Sequence, residues 1–514
     1  MQTAMDSDTA LEVAVKAVRS LVEREGAETT FPFDKIWQYA DEEVPSTLRP
    51  GQQRRLLKNG YIERTGRMIN ASSQARAGSL TPEYRPGWRL RPESRTSPFA
   101  LGEAKSGGSV APKSVADLLR NIEEAMAASG FMVTIEQLAN FYLALKSSPL
   151  VILAGTSGTG KSWLPRLFAK LVGADFTPIS VQPQWSDNAD LFGYTPSLAP
   201  DTFIAGKFTE AVVQASKQLD APAMVLLDEM NLAAVEHYFS DFLSVVETRR
   251  REKDGTITTD PLPLDLPEQK DPDRYSHLRD LRLLPNIRVI GTANMDETTR
   301  VFSPKVLDRA FSIEFGEVDL TAFIEPGGEE TIAKPEFSWL GKRVIDLRNP
   351  VAVSEVYSSS RDLFDRVAGL AEEIKGILKP AGISFGFRTR DAICLYMWHW
   401  ERDELADILP IKDALDLCIL QKILPKIGGT GEGLRKALEQ LREWLLRAET
   451  AEQIAAALPS EEESGEEAGS LPREEEASEA TAEVLSSPYQ RSAEKVAWML
   501  QKLSDEGAVT YWGV

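Results

Sequence analysis

Residues 150–172 read LVILAGTSGTGKSWLPRLFAKLV, and the order of those residues decides the core of the molecule. Leu150 to Ala154 is an apolar run with the length of a buried parallel strand. It breaks into Gly155-Thr156-Ser157-Gly158-Thr159-Gly160-Lys161-Ser162. A segment with Leu164, Leu167, Phe168 and Leu171 at helical spacing follows. Strand, glycine loop and helix in that order is the setting that a phosphate-binding loop requires. The glycines let main-chain N–H groups converge on phosphate oxygens, and the helix N-terminus adds partial positive charge. Lys161 would reach the β- and γ-phosphates, and the Ser162 hydroxyl would ligate Mg2+. A glycine-rich turn that binds nothing is disfavoured, because the spacing and both flanks fit.

Four further motifs extend the site. Ala223-Met-Val-Leu-Leu-Asp228-Glu229 is an apolar strand ending in two carboxylates, at the strand edge where open α/β sheets bind ligands. Asp228 would hold Mg2+ through water, and Glu229 would act as general base on the attacking water. Ile287-Arg-Val-Ile-Gly-Thr-Ala-Asn294 is another strand with a polar end, and the Asn294 amide would stand between γ-phosphate and water. Ser303-Pro-Lys-Val-Leu-Asp308-Arg309 reads as a short helix with proline near its start. Its Arg309 would reach a neighbouring subunit's γ-phosphate, with Arg300 in reserve. In Phe385-Gly-Phe-Arg388-Thr-Arg390, Arg388 would report bound γ-phosphate to a lid helix, with Arg390 second.

The formal net charge of −20 is not uniform. Between Arg49 and Arg95 eleven basic residues face three acidic ones, whereas Glu461 to Glu483 carries ten Glu and one Arg. The basic island fits double-stranded DNA through residues 49–95; a solvated basic surface or a protein-docking face is the competing reading. No apolar run approaches the roughly 18 residues of a membrane span, and no signal-peptide order opens the chain. Cys394 and Cys418 lie in apolar helical patterns and read as core thiols of a cytoplasmic protein. His237, His277 and His399 are scattered, so no zinc constellation is visible, and no nuclease motif stands outside the five elements.

The chain divides by pattern. Residues 1–98 read as a small winged-helix-like α+β domain, with helices at LEVAVKAVRSLVE, FDKIWQYA and QQRRLLKNGYI and β-like runs YIERT and RMINA. Residues 99–114 are a linker, 115–325 the nucleotide-binding core, and 326–458 a helical lid. Residues 459–487 are an acidic, disordered segment by composition, and 488–514 a helix docking on the lid. Segments 176–207 and 251–286 read as inserts, the second hairpin-like.

These motifs, in this order, resemble the AAA+ ATPases, and within them the McrB/dynein-related/MoxR branch. The likeness rests on Val181-Gln-Pro-Gln-Trp-Ser-Asp-Asn-Ala-Asp190-Leu-Phe-Gly-Tyr194, Asp228-Glu-Met-Asn231-Leu-Ala, Asn294-Met-Asp-Glu-Thr-Thr, Ser303-Pro-Lys-Val-Leu-Asp-Arg309 and Leu420-Gln-Lys-Ile-Leu-Pro425-Lys-Ile-Gly-Gly. The resemblance implies an α/β AAA+ core, a parallel sheet sandwiched by helices, with an all-α lid. It also implies a ring, usually a hexamer, with sites between subunits. McrB itself is a GTPase that drives a separate nuclease, McrC. Here the run GTANMDETT differs from the MNTADRS-type sequence, and no Asn-Lys-x-Asp guanine reader is visible, so ATP fits better than GTP. The expected function is a ring motor of DNA-directed restriction acting with an McrC-like nuclease. A MoxR-like protein-remodelling chaperone is the alternative.

Overall fold

The computed structural model describes residues 7–25, 31–40, 49, 52, 56, 62–70, 80–86, 114–267, 274–295, 300–315, 335–447 and 488–512. The 99–113 linker, the acidic 459–487 segment and Arg54, Arg55, Lys58, Arg76, Arg89, Arg91 and Arg95 of the basic island lie outside the described residues. The chain forms two compact units, Met1–Val110 and Ala111–Val514.

In the first unit, helix α1 (Ser7–Glu25) buries Ala14, Val18 and Leu21 against Phe31, Phe33, Ile36 and Leu56. FDKIWQY, expected as an α-helix, is a 3-10 turn over Phe33–Tyr39. Three antiparallel strands, β1 (Phe31–Pro32), β2 (Ile62–Asn70) and β3 (Leu80–Pro86), lie in the order β1-β3-β2. The runs expected as two strands are one, Ile62–Asn70, and its return partner LTPEYRP was not foreseen. Gly66 falls within a register shift between Arg64 and Met68. A glycine inside a strand pattern marks a break in the pairing as readily as a turn, and here it lies within such a break.

The second unit is built on a five-stranded parallel sheet. Strands β4 (Leu150–Gly155), β5 (Asp175–Ser180), β8 (Ala223–Asp228), β11 (Ile287–Asn294) and β12 (Ala310–Phe315) take the order β12-β4-β11-β8-β5. The three central strands are buried almost throughout, because helices cover both faces of a parallel sheet. The edge strand β5 buries little but Ile179 and tolerates Pro178, which has no N–H to give. That weak apolar signal makes residues 176–180 read as the start of an insert, whereas they are a strand of the sheet. Two short hairpins decorate the sheet, β6 (Gly193–Tyr194) with β7 (Ile204–Ala205), and β9 (Arg250–Arg251) with β10 (Ile257–Thr258).

Helix α2 (Val115–Ala128) is capped by Ser114, and α3 (Ile135–Ser147) opens with a Thr134/Gln137 capping box. Helix α4 (Trp163–Val172) follows the glycine loop, buries Leu164, Phe168 and Leu171, and ends on Gly173 at φ 69. Arg288 is fully buried on β11, and burial holds its guanidinium well below the usual range. It donates to Leu145 O at 2.6 Å and Val344 O at 2.9 Å, near the ends of α3 and of Pro335–Val344. Carbonyls at helix C-termini carry the partial negative charge that a buried cation needs.

Residues 353–446 are helical: Val353–Ser359, Arg361–Leu378, Phe387–Arg402, Ile411–Lys422 and Glu432–Leu446. The helix Gln490–Glu506 packs on the last two, and β14 (Ala508–Thr510) pairs with β13 (Gly428–Thr430). Tyr489 stacks on Trp444, and Arg491 pairs with both Glu136 and Asp413. Among the described residues no helix is long and apolar enough to cross a membrane.

Candidate functional site

The C-terminal ends of β4, β8 and β11 bring the glycine loop, Asp228-Glu229 and Asn294 to one edge of the sheet. Gly155 takes φ +150, and a Cβ there would meet Phe315 O at 2.4 Å; Gly160 takes φ +90 with the Phe131 ring at 2.7 Å. Only glycine fits either place. The Lys161 ammonium donates to Gly155 O at 3.1 Å and Thr156 O at 2.5 Å. Burial pulls its pKa down, against the pull of Asp228 and Glu229.

The two carboxylates are set by one hydroxyl. Thr292 Oγ1 donates to Asp228 Oδ1 at 2.7 Å and accepts from the Glu229 N–H at 2.9 Å. Ser162 Oγ donates to the same Asp228 oxygen at 2.6 Å. Glu229 has φ 54, a left-handed conformation that costs a residue with a Cβ roughly 1–2 kcal/mol. Asn294 Nδ2 donates to Glu229 Oε1 at 3.0 Å, and Asn231 Nδ2 donates to Asn294 O at 2.8 Å. The Ser162 and Asp228 oxygens, converging at hydrogen-bond distance, are the hard donors that Mg2+ takes alongside phosphate and water. Among the described residues no group of three or more His, Cys, Asp or Glu could hold a metal by itself.

Arg309 and Arg388 lie elsewhere. The register sets Ala310 opposite Leu150 and Phe315 opposite Gly155, so Arg309 is level with the start of β4 and the glycine loop with its end. Five residues of strand separate them by about 17 Å. The Arg309 guanidinium donates to Leu243 O at 2.8 Å and Lys305 O at 2.6 Å, and pairs with Glu247 at 2.6 Å. Arg388 pairs with the same Glu247 oxygen. The turn carrying Arg309 rests on Lys422, whose ammonium donates to Asp308 O at 3.1 Å and Ala310 O at 2.5 Å. Lys426 bridges Asp308 and Thr389 Oγ1.

The reserve arginines separate as well. Arg390 is taken up by Asp391 at 2.6 Å and lies over the rings of Phe364 and Phe387. Arg300 is exposed beside Asn231, to whose carbonyl its N–H donates at 3.1 Å. Sequence reading missed Thr292, Phe131 and Glu247. Thr292 had a signal: it stands two residues before Asn294, on the same face of a strand in which Arg288 is the one other polar residue. Glu247 had none.

Residues 150–311 match the AAA domain of the dynein-related subfamily, and residues 345–508 match a domain of unknown function, DUF8727. A solved structure titled "putative ATPase", from Cytophaga hutchinsonii ATCC 33406, is similar at 14% identity, covering 60% of this chain and 86% of that one, with a TM-score of 0.36. No curated protein matches the chain. The glycine loop, the paired carboxylates and the family match together mark residues 150–311 as an AAA+ ATPase core, similar to the dynein-related AAA domain and followed in the same unit by a helical segment.

Proposed function

We propose that this chain is an ATP-driven ring motor of the McrB type, hexameric, with each nucleotide site shared by two subunits. The observation that carries the shared site is the position of Arg309 and Arg388, at the sheet edge opposite their own glycine loop. Within one chain, main-chain N–H groups and Lys161 hold the phosphates. Glu229, steered by Asn294, accepts the proton of the attacking water. Bound Mg2+, held by Ser162 and Asp228, supplies charge neutralisation on the phosphate oxygens. ATP is favoured over GTP by the run GTANMDETT and the lack of a guanine reader.

Duplex DNA is the proposed target, on the strength of the basic island at 49–95, with an McrC-like nuclease as partner because this chain carries no nuclease motif of its own. Binding of the full chain to duplex DNA, titrated with salt, tests this part. The expected affinity falls steeply as salt rises, as counterion release demands. Absence of binding at low salt overturns the DNA reading and leaves a MoxR-like protein-remodelling role. ATP turnover per subunit, measured against chain concentration, tests the shared site. It should rise with assembly; turnover independent of concentration in a monomeric protein refutes sharing.

A further inference from the structure

Arg309 and Arg388 come from different parts of the second unit and are held by one carboxylate. Arg309 stands immediately before β12, and two main-chain carbonyls hold it alongside Glu247. Its side chain is 14% exposed. Arg388 belongs to the first turn of the helix Phe387–Arg402; its side chain is 56% exposed, and its ion pair is with Glu247. Two guanidiniums side by side repel. Lys426 adds a third positive charge to the same seam, close enough to act on Arg388. Against these three cations stand Glu247 and Asp308. The seam thus carries spare positive charge facing outward through Arg388, the complement of a phosphate group.

We propose that Glu247 is a positioning residue: it presents Arg309 and Arg388 as one unit to the terminal phosphate bound in a neighbouring copy's glycine loop. This rests on the shared-site reading. Glu247 does not touch the phosphate. It sets the direction of Arg388, offsets the repulsion between the arginines, and ties the first turn of the lid helix to the core beside Arg309. The phosphate is then met by the donors of Arg388 that Glu247 leaves free.

Glu247→Gln keeps the shape and one acceptor and removes the charge. The expected result is a kcat lower by roughly 10- to 100-fold, the scale of a misplaced transition-state group. KM should stay within about twofold, because the chain's own phosphate loop is untouched. Glu247→Asp should recover part of the loss. The decisive readout is mixing. Glu247→Gln subunits have intact sites and poor arginines; Glu229→Gln subunits have dead sites and intact arginines. Mixed rings should turn over faster than the mean of the two parents, since some intact sites then face intact arginines. Unimpaired analogue binding by the Glu247→Gln protein shows that it is folded. A mixture no faster than the parental mean, or a Glu247→Gln kcat within twofold of wild type, overturns the proposal. Arg309→Ala in the same assay separates the two layers. If it lowers turnover while Glu247→Gln does not, the role of Glu247 fails alone; if neither does, the shared site fails with it.

Discussion

Thr292→Val removes one oxygen from the centre of the site and leaves its shape. In the structure that oxygen makes two bonds, one to the Asp228 carboxylate at 2.7 Å and one from the Glu229 N–H at 2.9 Å, in a residue only 2% exposed. Losing the bond to a carboxylate costs about 1.5–3 kcal/mol, and stranding a buried N–H about 1–3 kcal/mol. The turn therefore loses roughly 3 kcal/mol or more, against the 1–2 kcal/mol of left-handed strain stored at Glu229. The balance reverses, and Glu229 relaxes out of line with Asn294. A positioned general base contributes about 10²- to 10⁴-fold, so kcat should fall by about 100-fold or more. Nucleotide affinity should change by less than about threefold, since Lys161 and the loop amides are untouched and Ser162 still holds Asp228. Steady-state phosphate release, paired with calorimetric binding of a non-hydrolysable analogue, measures both. Thr292→Ser keeps the hydroxyl and should retain most turnover. A Thr292→Val kcat within threefold of wild type, or a Thr292→Ser protein equally damaged, would refute the reasoning.

If Ser162, which donates to Asp228, serves Mg2+ and not the phosphates, Ser162→Ala should shift the Mg2+ dependence of turnover to higher concentration by roughly tenfold or more while binding of metal-free nucleotide persists; a metal titration checks it, and an unchanged midpoint excludes Ser162 as a ligand. Trp163 is 58% exposed directly after Ser162, so nucleotide should alter its fluorescence, and the change should vanish in Trp163→Phe; a response that persists in the variant belongs to another tryptophan. Burial raises the Glu123 carboxyl from 4.5 to about 7, with the Ile135 N–H opposing. Between those values the folded chain keeps a proton that the unfolded chain has released, so stability falls as pH rises through that window. Glu123→Gln should therefore stabilise the second unit by roughly 1–2 kcal/mol at pH 8 and add nothing at pH 4.5, read from urea unfolding at both; an equal gain at the two values would show that the charge is not the cause.

What could be read from sequence followed from how local each signal is. The glycine loop, its strand and its helix are continuous, and Asp228-Glu229 and Asn294 each end an apolar run, so all were legible without knowing the fold. Strand β5 was not, because an edge strand with Ile179 as its one buried residue carries little hydrophobic pattern. Strand β3 was hidden for a related reason: two prolines and a glutamate break the β-like composition of LTPEYRP. Thr292 was half legible, from its parity with Asn294. Glu247 was out of reach, since its partners lie 62 and 141 positions further along the chain and nothing in VVETRR announces them.

The same non-local contacts explain how the arginines connect to the lid. Lys146, near the end of α3, pairs with Asp403 at 2.5 Å with both side chains fully buried, and Arg343 and Tyr142 join the same carboxylate. Lys422, pushed down to about 7 by burial, donates to the carbonyls around Arg309, and Lys426 links Asp308 to Thr389, the residue after Arg388. All of these ties sit toward the edge where β4 and β12 begin. Breaking a buried pair by removing one partner costs about 3–5 kcal/mol, so this edge resists opening. The glycine loop lies at the other end of the strands. These ties join the lid helix and the two arginines to the end of the sheet where β4 and β12 begin. On the shared-site proposal, a shift of that end would change what a neighbouring copy's phosphate meets before it changed anything at the chain's own phosphates. Hydrolysis in one site would then depend on the posture of the adjacent copy, a coupling free energy between sites.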